Sequence, residues 1–132
     1  MVKVLIDTNV IISARLFGGK PREILKLAIT KHIEAVTSPP LLAELLDVLS
    51  KKFSFPKETL KLTEHKIKQS FRMVHPIKQV DILNDNNPDN RVLEAALEGN
   101  CRYIITGDKE LLALGSFEDV TILTANKFLN LL

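Results

Sequence analysis

The sequence predicts an α/β fold in which a parallel sheet is sandwiched between helices. Three observations carry this. Short β-branched apolar runs alternate with stretches of helical periodicity along the chain. The first run, Val2-Lys3-Val4-Leu5-Ile6, is nearly continuous in its apolar residues, as in a central strand covered on both faces. The length, 132 residues, suits one core, so residues 1–132 are expected to form a single domain.

The remaining elements follow in order. Further strand-like runs cover Ile33 to Val36, Tyr103 to Ile105 and Val120 to Leu123, with a weaker one at Arg72 to Val74. Helical patterns are predicted over Pro21 to Thr30, Leu41 to Phe53, Pro56 to Phe71, Asp89 to Leu97, Lys109 to Leu114 and Ala125 to Leu131. Ser38-Pro39 reads as an N-cap followed by a first-turn proline, Gly99 as a helix stop, and Asn84 to Pro88 as a polar loop.

Composition excludes several classes. With 45% apolar and 26% charged residues the chain is neither disordered nor membrane-spanning. The lone Cys101 makes no internal disulfide, and only Val4-Leu5-Ile6 precedes Asp7 where a secretory signal would need a long apolar run; both point to the cytoplasm. Net charge is +2, but the basic residues are concentrated: Lys51 to Lys78 holds eight of them against Glu58 and Glu64. Lys57, Lys61, Glu64 and Lys68 share a helical face opposite Leu60, Ile67 and Phe71, read as an ordinary solvated face or as a source of phosphate contacts.

In an open parallel sheet ligands bind at the carboxyl ends of the strands. Asp7 ends the first run, and Asp108 follows Tyr103-Ile104-Ile105-Thr106-Gly107. Asp89 shares a helical stripe with Val92, Leu93 and Ala96, while Glu94 and Glu98 point the other way; Glu44 borders the apolar stripe of its helix, and Asp47 faces solvent. Taken singly, Asp7 and Asp108 also read as N-caps, and Glu44 and Asp89 as salt-bridge partners. Together, four acids after four different strands converge on one sheet edge, where they want a divalent cation. Oxygen-only ligation favours Mg²⁺ or Mn²⁺ over zinc. His32, His65 and His75 have no partner histidine at i+3 or i+4, Gly18-Gly19 makes no phosphate loop, Ser13 and Ser38 lie in no nucleophile elbow, and Cys101 reads as a small buried residue.

Asp7-Thr8-Asn9, Glu44, Asp89 to Ala96 and Thr106-Gly107-Asp108-Lys109-Glu110-Leu111-Leu112 together resemble the PIN-domain family, over nearly the whole chain, and most of all its small stand-alone prokaryotic members grouped with the VapC toxins. The resemblance implies strand order 3-2-1-4-5 and Mg²⁺- or Mn²⁺-dependent endoribonuclease cleavage of single-stranded RNA. It implies that Asp7, Glu44, Asp89 and Asp108 are the catalytic, metal-holding quartet, with Asn9 and Thr106 as supporting polar residues. It also implies an antitoxin protein as partner, and the leucine-rich surface points to a homodimer. Because Pro88 stands beside Asp89 where paired aspartates are common, Asp85 is an alternative third ligand. The competing reading is a PIN-like module that binds RNA or protein with little turnover. A phosphotransfer domain with an aspartyl nucleophile ranks behind both, since Asp7-Thr8-Asn9 lacks the second aspartate that chemistry uses.

Overall fold

The computed structural model describes residues 1–84 and 87–132. The first apolar run forms β1 (Lys3–Ile6), and it is central as expected, flanked by β2 (Glu34–Thr37) and β4 (Tyr103–Ile105) in parallel register. β3 (Phe71–Met73) pairs with β2, and β6 (Val120–Leu123) with β4, so the five apolar runs hold the expected order with all neighbours parallel. A sixth strand is added at the edge: β5 (Ser116–Phe117) pairs antiparallel with β6, giving the order β3-β2-β1-β4-β6-β5. Two residues carry no periodicity to read. Their position is set by Gly115 at φ 71° and Glu118 at φ 54°, which turn the chain into and out of the short hairpin.

Side chains alternate across the sheet. Val4, Ile6, Ala35 and Ile105 face α1 (Thr8–Leu16), α2 (Gly19–Ile29) and α3 (Pro39–Phe53), together with Ile67 of α4 (Lys57–Ser70) and Phe128 of α7 (Ala125–Leu131). Leu5, Val36 and Ile104 face the other way, onto Val92, Leu93, Ala95 and Ala96 of α5 (Asn90–Glu98) and Leu111 of α6 (Lys109–Leu114). Leu93 has 0% exposure, so Leu93→Ala should cost about 2–5 kcal/mol in a urea titration through lost burial and the cavity left behind.

α1 has no counterpart among the predicted helices. Its Val10-Ile11-Ile12 run is β-branched and weakly helix-forming, but packing against α2 and α3 buries those residues on several sides and overrides propensity. Gly99 ends α5 as expected, for a different reason. Its φ is −82°, and an added Cβ would lie 2.8 Å from Val36 Cγ1, so glycine there permits close approach of α5 to β2. Asp89 stands at the N-cap of α5, one residue before its first helical turn. No helix among the described residues is long and apolar enough to cross a membrane.

Candidate active site

Three side chains form a row across the carboxyl ends of the central strands. The β1–β4 ladder runs on past Ile6↔Ile105, the Asp7 amide donating to the Ile105 carbonyl at 3.0 Å, and sets Asp7 beside Thr106; the β1–β2 ladder ends at Leu5↔Val36, and Asp7 and Ser38 each follow that last pair by two residues. By alternation all three lie on the α5 face, where Leu5, Val36 and Ile104 pack. Asp7 is 4% exposed and occupies the N-cap of α1 without making a side-chain cap bond. Instead the Thr106 hydroxyl donates to Asp7 Oδ2 at 2.6 Å and accepts the Asp108 amide at 3.0 Å. With that amide occupying a Thr106 lone pair, the hydroxyl proton is directed at Asp7, which fixes one carboxylate oxygen.

Asp108 does cap its helix: Oδ1 accepts the Leu111 amide at 3.0 Å, leaving Oδ2 outside the cap. The N-cap reading from sequence therefore holds for Asp108 and fails for the side chains of Asp7 and Ser38, the latter at the N-cap of α3 with no cap bond.

The acids sense one another. Burial pushes the Asp7 carboxyl up from its usual value, the Thr106 hydroxyl and Thr8 amide offset part of this, and the charge of Asp108 raises it further. Glu44 is raised by partial burial and then by Asp7. Asp89 is pushed up to about 7 by burial, by the charge of Asp108 and a hydrogen bond with its carboxyl, and by Asp7 and Glu110. These are like-charge couplings. None of the ion pairs among the described residues involves the four acids; Asp47, by contrast, is exposed and pairs with Lys51 at 3.1 Å. Among the described residues no three His, Cys, Asp or Glu side chains stand close enough together to hold a metal ion as placed. Donors of other kinds are remote in character: His32, His65 and His75 are exposed, and Cys101 is buried with its thiol pushed up to about 12 by desolvation. Asn9 stands exposed in the first turn of α1. The alternative ligand Asp85 lies outside the described residues.

A set of residues around Asp89 went unread in the sequence. Asn87 Oδ1 accepts the Asp89 amide at 2.9 Å, and Asn87 Nδ2 donates to Glu110 Oε2 at 2.9 Å, tying the approach of Asp89 to α6. Along α5, Asn90, Glu94 and Glu98 recur every four residues, and each carboxylate or amide oxygen accepts a backbone N–H from the preceding segment: Leu83 at 3.2 Å, Val80 at 2.9 Å and Ile77 at 3.2 Å. The expectation that Glu94 faces solvent is therefore wrong. It is 8% exposed because residues 77–84 lie over that face of α5, and Arg91 grips it at 2.7 and 2.8 Å. The signal available in the sequence was the i, i+4, i+8 spacing itself. Glu94→Ala should cost about 1–3 kcal/mol by stranding the buried Val80 amide, and Glu94→Gln, which keeps an acceptor oxygen, should cost less. Amide hydrogen exchange at Val80 alongside urea unfolding checks this.

A parallel sheet covered on both faces, with four repelling acids gathered after β1, β2 and β4 and before α5, defines an acidic-edge α/β domain. The chain belongs to the PIN-domain family: residues 3–110 match the PIN domain. It is 34% identical over 119 residues to the uncharacterized protein MJ1680 of Methanocaldococcus jannaschii, spanning 86% of this chain and 75% of that one. Its fold is also that of chains in VapBC2 from Rickettsia felis bound to a promoter DNA fragment (TM-score 0.66, 16% identity, 92% of this chain and 97% of that one). The same holds for VapBC-1 from nontypeable Haemophilus influenzae (TM-score 0.65, 18% identity, 95% and 99%) and the PIN domain endonuclease Utp24 (TM-score 0.57, 18% identity, 92% and 84%).

Proposed function

We propose that this chain is a metal-dependent endoribonuclease that cleaves single-stranded RNA through Asp7, Glu44, Asp89 and Asp108, and that it is the toxin of a toxin–antitoxin pair. The observation that carries this reading is the group of four mutually repelling carboxylates at one sheet edge with no basic partner among the described residues. Such a group fits a hard divalent cation, and its all-oxygen donors suit Mg²⁺ or Mn²⁺. Asp7, Asp89 and Asp108 would hold the ion, with Glu44 as a further ligand; when bound, it supplies Lewis-acid polarisation of the phosphate and a more acidic water.

The chain's own groups define the rest. Thr106 holds Asp7 Oδ2, which leaves Oδ1 for the ion, and the α6 cap holds Asp108 Oδ1, which leaves Oδ2. Glu44, on a more exposed and longer side chain, serves as that further ligand or orients the attacking water. Asn9, exposed in the first turn of α1, is the supporting polar residue of this reading. Lys57 and Lys61 lie exposed on α4, available to phosphates.

Two of the chains that share the fold come from VapBC complexes and a third is an endonuclease, which supports both halves of the proposal. A groove of about 380 Å³ between α1, α2, α3 and α4 offers a seat for the antitoxin. It is lined by Ile11, Leu25, Leu45, Ile67 and Phe71, with Arg22 among its basic residues. Exposed Phe17, Phe53 and Leu131, which do not line that groove, supply apolar surface for a homodimer, checked by light scattering. The direct test is incubation of a generic single-stranded RNA with Mn²⁺, with EDTA as control: fragments that disappear with EDTA support the nuclease, whereas RNA retained uncut at every metal concentration favours the binding-module reading.

A further inference from the structure

Asp7 ends β1 between two strands that are each followed by a hydroxyl residue, and only one of those hydroxyls is in use. Thr106 donates to it from the β4 side. Ser38, which follows β2 two residues after Val36 as Asp7 follows its partner Leu5, is 0% exposed, and its Oγ has no hydrogen-bond partner among the described residues. Buried hydroxyls are nearly always paired, so an orphan beside a group of acids calls for a ligand.

The ordinary explanation for a serine at this position fails. Ser38 is the N-cap of α3, where a hydroxyl usually accepts a first-turn amide, but it makes no such bond. Of the two amides an N-cap hydroxyl accepts, Pro40 removes the one at the second helical position, and the Leu41 amide at the third makes no bond to the Ser38 side chain. The helix start is set by the fixed φ of the prolines, and the Ser38 backbone carbonyl accepts the Leu42 amide at 2.9 Å, so the chain turns into α3 without help from the side chain.

We propose that Ser38 is a positioning residue of the acidic site, whose hydroxyl accepts a hydrogen bond from a water coordinated to the divalent cation held by Asp7 and its companions. This rests on the metal-dependent reading of the site. A cation-bound water has its lone pair on the ion and is a strong donor; Ser38 Oγ, on the same face of the sheet as Asp7 and one strand away, offers it an acceptor that carries no charge. The row then works symmetrically: Thr106 fixes a carboxylate oxygen on one side of Asp7, and Ser38 fixes solvent on the other. As a partner outside the ligands themselves it should tune ion affinity.

The test pairs two measurements on Ser38→Ala in the full chain: the metal-free melting temperature and the Mn²⁺ affinity by titration calorimetry. Removal of an unpaired buried hydroxyl should leave the metal-free melting temperature unchanged or higher, while Mn²⁺ affinity falls about tenfold. In an Asp7→Asn background the same substitution should have no further effect on Mn²⁺ binding. Unchanged Mn²⁺ affinity in Ser38→Ala overturns the proposal, and so does a lowered metal-free melting temperature, which would mean the hydroxyl serves the fold. Wild-type protein that binds no Mn²⁺ would instead sink the metal-dependent reading beneath it.

Discussion

Asp7→Asn should reduce Mn²⁺-dependent cleavage of single-stranded RNA by far more than the roughly 10–100-fold that loss of a ligand's hydrogen-bond partner usually costs. The substitution is nearly isosteric, and its carbonyl oxygen can still accept the Thr106 hydroxyl that now bonds at 2.6 Å, so the fold is kept while the charge facing the ion is lost. Asp47→Asn is the matched control. Asp47 belongs to the same chemical type and stands three residues from Glu44, yet it is exposed and paired to Lys51. An exposed pair of this kind contributes about 0–1 kcal/mol, so cleavage by Asp47→Asn should remain close to wild type. Loss of activity in both variants, or in neither, would separate the acidic edge from the chemistry.

The second large effect is on stability. Asp7, Glu44 and Asp89 all have carboxyls raised above their ordinary values in the folded chain. A folded state that holds protons more tightly than the unfolded one is favoured at low pH, and this advantage is lost as pH rises through the folded values. For Asp89 the window runs from its ordinary 3.8 to about 7. The metal-free protein should therefore melt at a lower temperature at pH 7.5 than at pH 5. Asp89→Asn should raise the melting temperature at pH 7.5 and change it less at pH 5. Millimolar Mg²⁺ or Mn²⁺ should raise it at pH 7.5, since an ion that binds only the folded state at 100 times its Kd contributes about 2.7 kcal/mol. A melting temperature that climbs between pH 5 and 7.5 without metal, or that ignores metal, contradicts this.

What the sequence made legible follows from which forces are local. β1 and Asp7 could be read because a continuous apolar run followed by a carboxylate has few other meanings, and α7 fell at Ala125–Leu131 as its periodicity indicates. Asp108 at the start of α6 combined a cap with a candidate site position, and Thr106 two residues earlier proved to be the group that binds both Asp7 and the Asp108 amide. What escaped was decided by tertiary packing. Val10-Ile11-Ile12 lean toward a strand until α2 and α3 close over them, and the Glu94 carboxylate looks solvated until residues 77–84 lie across it. Ser38 was legible as an N-cap by residue type, and Pro40, which removes one of the two amides such a hydroxyl accepts, was the overlooked sign that it makes no cap bond.

If four carboxylates from separate elements form one cation site, a crystal of the protein grown with Mn²⁺ will reveal it through anomalous scattering at the manganese edge. A manganese peak is expected at the carboxyl ends of β1 and β4, with oxygens of Asp7, Asp89 and Asp108 at about 2.0–2.6 Å and Glu44 facing the same ion. A saturated crystal with no peak there, or with manganese bound away from Asp7 while Glu44 and Asp89 pair with lysines, would contradict it.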